Sequence, residues 1–159
     1  MAELDACDLR LLCISHIPFM AESAETKRSL HILVADDLPA WRVRLRSILQ
    51  ARANWHVIGE ACDGLQAVQG TIELRPDVVL LDVGMPVLNG IEAAERIREV
   101  SPSSRIIFVT QNDDREIRAA ALATGAEGYL LKANAAHGLL PAIEAAMHDC
   151  QKGSILIFN

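Results

Sequence analysis

Four short stretches of the chain are almost continuously apolar: residues 31–35, 77–81, 105–109 and 128–131. Runs of this length without polar alternation are the pattern of parallel strands covered on both faces. A fifth stretch, 55–61, mixes Trp55, Val57 and Ile58 with His56 and Glu60 and reads as an edge strand. Between them the apolar period changes to that of a helix. In 39–52, Trp41, Leu45, Ile48 and Leu49 fall at i, i+4, i+7 and i+8, one helix face. A second helix is expected over 64–74, with Asp63 as N-cap and Pro76 beyond its end. A third covers 91–100, with Ile91, Ala94, Ile97 and Arg98 along one side. The Ala-rich 113–124 stops at Gly125, a good residue for a helix exit. The last, 135–151, lines up Leu139, Leu140, Ile143, Met147 and Cys150. Five rounds of strand then helix imply an α/β fold: a five-stranded parallel sheet with helices on both faces, joined by right-handed crossovers.

Composition narrows the function. The 159 residues are 51% hydrophobic, enough for one domain with its own core, and at 23% charged residues the chain is not a mostly disordered one. The net charge of −6 lacks the basic footprint of a phosphate-backbone binder, so direct nucleic-acid binding is not expected. The four cysteines form no C-x-x-C and the five histidines are not spaced as zinc ligands. No apolar run reaches the 18 or so residues of a membrane helix. The apolar stretch 9–20 contains Arg10 and His16 and follows acidic residues, unlike a signal peptide. A cytoplasmic protein is therefore expected. Residues 1–28 precede the domain at 29–151 as an N-terminal extension, one reading of which is a disordered arm. Met20 opens a normal-looking protein start, so 1–19 are expected to be dispensable. Residues 152–159 read as a C-terminal tail or linker remnant, or as an extra packing segment.

In open parallel sheets, ligands bind beyond the carboxyl ends of the strands. The residues leaving the apolar runs are Asp36-Asp37, Asp82, Thr110 and Lys132. Each alone has a structural explanation, such as a helix cap for Asp37 or a backbone-bonded hydroxyl for Thr110. Together they place three carboxylates, a hydroxyl and an ammonium at one edge. Crowded carboxylates repel one another, and a dication relieves that repulsion. An oxygen-only set with open positions suits Mg²⁺, or Mn²⁺. The ammonium and hydroxyl would then face a phosphoryl group, and a carboxylate is itself a nucleophile that can form an acyl phosphate.

Asp36-Asp37, Leu80-Leu-Asp82-Val-Gly-Met-Pro86 with Asn89-Gly90, Thr110, and Tyr129-Leu-Leu-Lys132 together resemble the receiver domain of two-component response regulators, over about residues 29–151. The closest likeness is to receivers usually joined to helix-turn-helix output domains. The resemblance implies a flavodoxin-like sheet of strand order 2-1-3-4-5. It implies that Asp82 accepts a phosphoryl group from a phosphohistidine on a sensor histidine kinase or phosphotransfer protein. Asp37 and Asp82 would hold Mg²⁺ through side chains, Gly84 through its carbonyl and Asp36 chiefly through water. Lys132 and Thr110 would bind the phosphoryl oxygens, and Tyr129 would swing inward as Thr110 moves. The switching surface would be formed by the fourth helix, fifth strand and fifth helix, with self-phosphorylation and slow autodephosphorylation the only chemistry.

The sequence also departs from the family's pattern. Ala133 stands where many receivers have proline, and the long Gln111 follows Thr110. Gly84 has no side chain to position a water, which implies a long-lived phosphoprotein. The arginines of the first helix (Arg42, Arg44, Arg46, Arg52) read as a solvated cationic face or a docking face for the kinase. Ala119, Ala120, Ala121 and Ala123 read equally as tight packing or as a homodimer surface. Two rival functions remain: a Mg²⁺-dependent aspartyl phosphatase, disfavoured because position 84 is not a second Asp, and a pseudo-receiver that binds partners without phosphorylation.

Overall fold

The computed structural model describes residues 28–148 and the backbone of 156–158. The expectations for 1–27, including the dispensable segment, lie outside the described residues. Strands β1 (Leu30–Ala35), β2 (Trp55–Ala61), β3 (Val78–Leu81), β4 (Arg105–Thr110) and β5 (Gly128–Leu131) alternate with helices α1 (Pro39–Leu49), α2 (Gly64–Leu74), α3 (Gly90–Val100), α4 (Arg115–Ala123) and α5 (Ala135–His148). All pair in parallel, in the order β2-β1-β3-β4-β5, the arrangement expected from the resemblance. A sixth strand, β6 (Leu156–Phe158), lies parallel to β5 in the stretch read from sequence as a tail. It covers the backbone edge that β5 would otherwise present.

Period-2 alternation sorts the strand side chains into two cores. Leu33, Ala35, Val79, Leu81, Ile106, Phe108 and Tyr129 face α2, α3 and Ala121 of α4. Ile32, Val34, Val78, Leu80, Ile107, Val109 and Leu130 face Leu45 and Leu49 of α1 and Leu139 and Ile143 of α5. The central β3 is buried at all four positions, which is why its sequence shows no alternation; edge strand β2 is only partly covered. Each large aliphatic side chain so buried contributes about 1.5–3 kcal/mol.

The helix ends follow local chemistry. The Asp63 side chain accepts the Gln66 N–H at 2.8 Å, capping α2, and Gly125 follows α4 at φ +83°. Asp37 caps nothing: the N-cap of α1 is Leu38, with no side-chain bond, and Pro39 opens the helix. Pro141 lies inside α5, where it removes one backbone hydrogen bond. Of the α4 alanines only Ala121 is buried, so tight packing accounts for one of the four. Among the described residues no helix is long and apolar enough to cross a membrane.

Candidate functional site

Sheet register brings the expected residues together. Ala35 pairs with Leu81 across β1 and β3, so Asp36 and Asp82, the next residue on each strand, leave the sheet side by side. Thr110 pairs with Leu131 across β4 and β5, which puts Lys132 one residue beyond it. Neighbouring strands are about 4.8 Å apart, so these groups converge without any special loop. One oxygen from each of Asp36, Asp37 and Asp82 lies within 4.8 Å of the others. Asp37, Asp82, Gly84, Thr110 and Lys132 line one pocket of about 250 Å³, with Leu38, Val83, Gln111 and Asn112. Asp36 sits beneath it, 1% exposed.

Lys132 ties the acids together. Its Nζ donates to Asp82 Oδ2 at 2.9 Å and meets Asp36 Oδ2 at 2.6 Å, in an ion pair too bent to be a hydrogen bond. The other oxygen of Asp36 accepts the Leu38 N–H at 2.9 Å, which fixes the turn into α1. Burial pushes the Asp36 carboxyl above its ordinary value; the Lys132 ammonium and the Leu38 amide pull the other way without overcoming it. The donor set fits a hard dication: oxygen only, two of its three carboxylates buried, and an open side at Gly84, where an added Cβ would meet nothing within 4 Å.

The loop after β3 is held close. A Cβ on Gly90 would lie 2.0 Å from the Asp82 carbonyl oxygen, and one on Gly64 would lie 2.1 Å from that of Leu88. Only glycine lets α3 begin against the backbone of the Asp82 turn. Between them the Leu88 N–H donates to the Pro86 carbonyl at 2.8 Å, closing a tight turn on exposed Val87 at φ +67°. A β-branched residue in that region is strained.

Thr110 and Tyr129 converge on Asn112, in the loop after β4. Thr110 Oγ1 accepts the Asn112 N–H at 3.3 Å, and the Tyr129 hydroxyl donates to the Asn112 carbonyl at 2.8 Å. Tyr129 is turned inward, 1% exposed, with its ring against Phe108 and the Arg118 guanidinium 5.4 Å from its centroid. Burial raises its hydroxyl pKa. The first-helix arginines are mostly committed. Arg42 bonds the Asp36 carbonyl at 2.8 Å and Glu60 at 3.1 Å, Arg46 pairs with the same Glu60, and Arg52 pairs with Glu144. The solvated-face expectation fails for Arg42, which latches α1 to β2 and to the end of β1. Nothing in an isolated arginine run signals such partners.

Comparison with known proteins gives one consistent result. The family model described as response regulator receiver domain matches residues 32–144. The nitrate/nitrite response regulator NarL of Escherichia coli K12 is 37% identical over 115 residues, 72% of this chain and 53% of its own length. Protein CcdB of Bacillus subtilis is 37% identical over 116 residues, 73% of this chain and 96% of its own. Among solved structures, the response regulator domain of Thermotoga maritima CheB superposes with a TM-score of 0.70 at 36% identity, covering 76% of this chain and 97% of that one. The chain spans about half the length of NarL and of the Bacillus subtilis regulator YxjL, which it also matches.

Proposed function

Because the chain belongs to the response regulator receiver domain family, we propose that it is a phosphorylation-dependent switch whose acceptor is Asp82. The observation that carries this reading is buried Lys132 bridging Asp36 and Asp82 in the lining of a pocket that Thr110 also lines. Asp37 and Asp82 side chains would hold Mg²⁺, with the Gly84 carbonyl and, through water, Asp36. When bound, Mg²⁺ supplies charge neutralisation for the transferring phosphoryl group.

An Asp82 carboxylate oxygen attacks the phosphorus of a phosphohistidine on a sensor histidine kinase or phosphotransfer protein. The P–N bond breaks, its electron pair returns to the imidazole, and that nitrogen takes up a proton. Lys132 keeps the attacking carboxylate in place and then turns its N–H groups to the new phosphoryl oxygens, which add about −1.5 to −2 charges. Thr110 is drawn to the same oxygens. Its pull reaches the α4 side through Asn112, which both Thr110 and Tyr129 hold. The readout surface is that of α4, β5 and α5. On this reading the protein is cytoplasmic and its only chemistry is its own phosphorylation and slow autodephosphorylation, with no second acid at position 84 for turnover.

Incubation with acetyl phosphate and Mg²⁺, followed by intact mass, tests the proposal. The expected result is one added phosphoryl group, absent in Asp82→Asn. Continuous phosphate release would instead indicate a phosphatase, and no adduct would indicate a phosphorylation-independent binding module.

A further inference from the structure

We propose that Trp41 is a positioning residue for Lys132, its indole ring holding the ammonium over the acceptor carboxylate. The inference rests on the phosphoacceptor reading and extends it to a side chain outside the acidic set. Lys132 Nζ lies 5.3 Å from the Trp41 ring centroid, inside the roughly 6 Å reach of a cation–π contact. The ammonium is 2% exposed, and such contacts strengthen where water is removed.

Local structure aims the ring. The Trp41 N–H donates to the Leu38 carbonyl at 3.0 Å in the first turn of α1, directly after the turn that Asp36 fixes. The side chain is partly buried against the core shared by α1 and α5. Helix packing alone does not call for tryptophan there, because Leu45 and Leu49 fill the fully buried positions of α1. The same ring takes the exposed Arg44 guanidinium at 5.4 Å, so it is a cation-binding surface on two counts.

The chemistry explains what the ring adds. Two of the contacts of Lys132 are to carboxylates in the reacting cluster. Once Asp82 carries a phosphoryl group, its bond to the ammonium must be remade around new oxygens. The ring is a contact that phosphorylation does not consume. It keeps the ammonium in register while the oxygens around it change, so less of the transfer barrier goes into ordering a four-carbon side chain.

The test compares phosphoryl uptake from acetyl phosphate with Mg²⁺ in the wild type, Trp41→Phe and Trp41→Leu, with melting temperatures measured alongside. Trp41→Leu should lower the maximal rate on the order of 10-fold, the size of one desolvated cation–π contact. The half-saturating donor concentration should stay unchanged, and Trp41→Phe should recover most of the loss at a similar melting temperature. Equal rates for Phe and Leu, or a wild-type rate for Leu, would overturn the assignment. A second arm needs neither donor nor ion. The chain has two tryptophans, so in a Trp55→Phe background Trp41 emits alone. Lys132→Met should then alter its emission in protein whose circular dichroism matches the parent; unaltered emission overturns the contact. A wild-type chain that takes up no phosphoryl group would sink the acceptor reading instead, and the emission arm would still decide Trp41.

Discussion

Lys132 and Asp82 form an ion pair at 2.9 Å with side-chain exposures of 2% and 9%, and the same ammonium is the countercharge of the buried Asp36. Removing it leaves two adjacent carboxylates withdrawn from water. Lys132→Met should therefore destabilise the fold by about 3–5 kcal/mol, the usual cost of breaking a buried pair from one side. Adding Asp82→Asn should return part of that loss, because it removes one of the two stranded charges. Urea unfolding of the single and double variants measures both effects; losses that simply add would show that the charges are not coupled.

Two glycines of the same loop should respond in opposite ways. Gly90→Ala would press a Cβ to 2.0 Å from the Asp82 carbonyl oxygen and 2.9 Å from Val83 Cα, so backbone must move. A destabilisation of about 3 kcal/mol is expected, together with slower phosphoryl uptake as the Asp82 turn shifts. Gly84→Ala meets no atom within 4 Å, and its stability should stay within about 0.5 kcal/mol of wild type. Thermal melts decide between these outcomes.

Tyr129 should make the protein sensitive to alkali. Burial raises its pKa above the ordinary 10.0, against the Arg118 charge, which lowers it. Between 10.0 and the raised value the native chain keeps a proton that the unfolded chain has lost. Stability from this group is complete below pH 10 and falls as pH rises through that window. The phenolate would also lose its bond to the Asn112 carbonyl. Tyr129 is the chain's single tyrosine, so absorbance reports its ionisation without interference. The wild type should lose more melting temperature between pH 9 and 11 than Tyr129→Phe does; equal losses would mean the hydroxyl is solvated.

Sequence makes some of these features legible and hides others, for physical reasons. Parallel strands buried on both faces must be written as apolar runs, so the central strands and the polar residues at their carboxyl ends can be read directly. Asp36 and Asp82 are 46 residues apart in the chain, yet the register of two adjacent strands makes them neighbours. The importance of Gly90 shows as a letter in a motif, but its cause, a carbonyl 2.0 Å from where a Cβ would sit, exists only in three dimensions. Trp41 matches the helix period and so reads as ordinary core, because periodicity gives a side chain's face and not what lies beside its ring. Arg42 looks solvated for the same reason: its partners Glu60 and the Asp36 carbonyl belong to other elements. Strand β6 is a three-residue segment, too short to separate by pattern from an apolar tail.

The open volume over Gly84 bears on how long the signal lasts. Hydrolysis of an aspartyl phosphate needs a water aligned with the phosphorus, and a polar side chain at position 84 could hold one; glycine cannot. Gln111, exposed at the pocket rim beside Thr110, is long enough to stand between solvent and the phosphoryl group. The phosphorylated chain with Mg²⁺ should therefore persist for minutes or longer. Gly84→Asn should speed its decay by supplying an amide to orient the water, since a positioned group of this kind contributes up to about 10²-fold or more. Gln111→Ala should also speed it, by opening the rim. Loss of the phosphoryl mass after removal of acetyl phosphate gives all three half-lives. A wild-type half-life of seconds, or a Gly84→Asn variant that decays no faster, would show that water reaches the phosphorus by a route these two positions do not control.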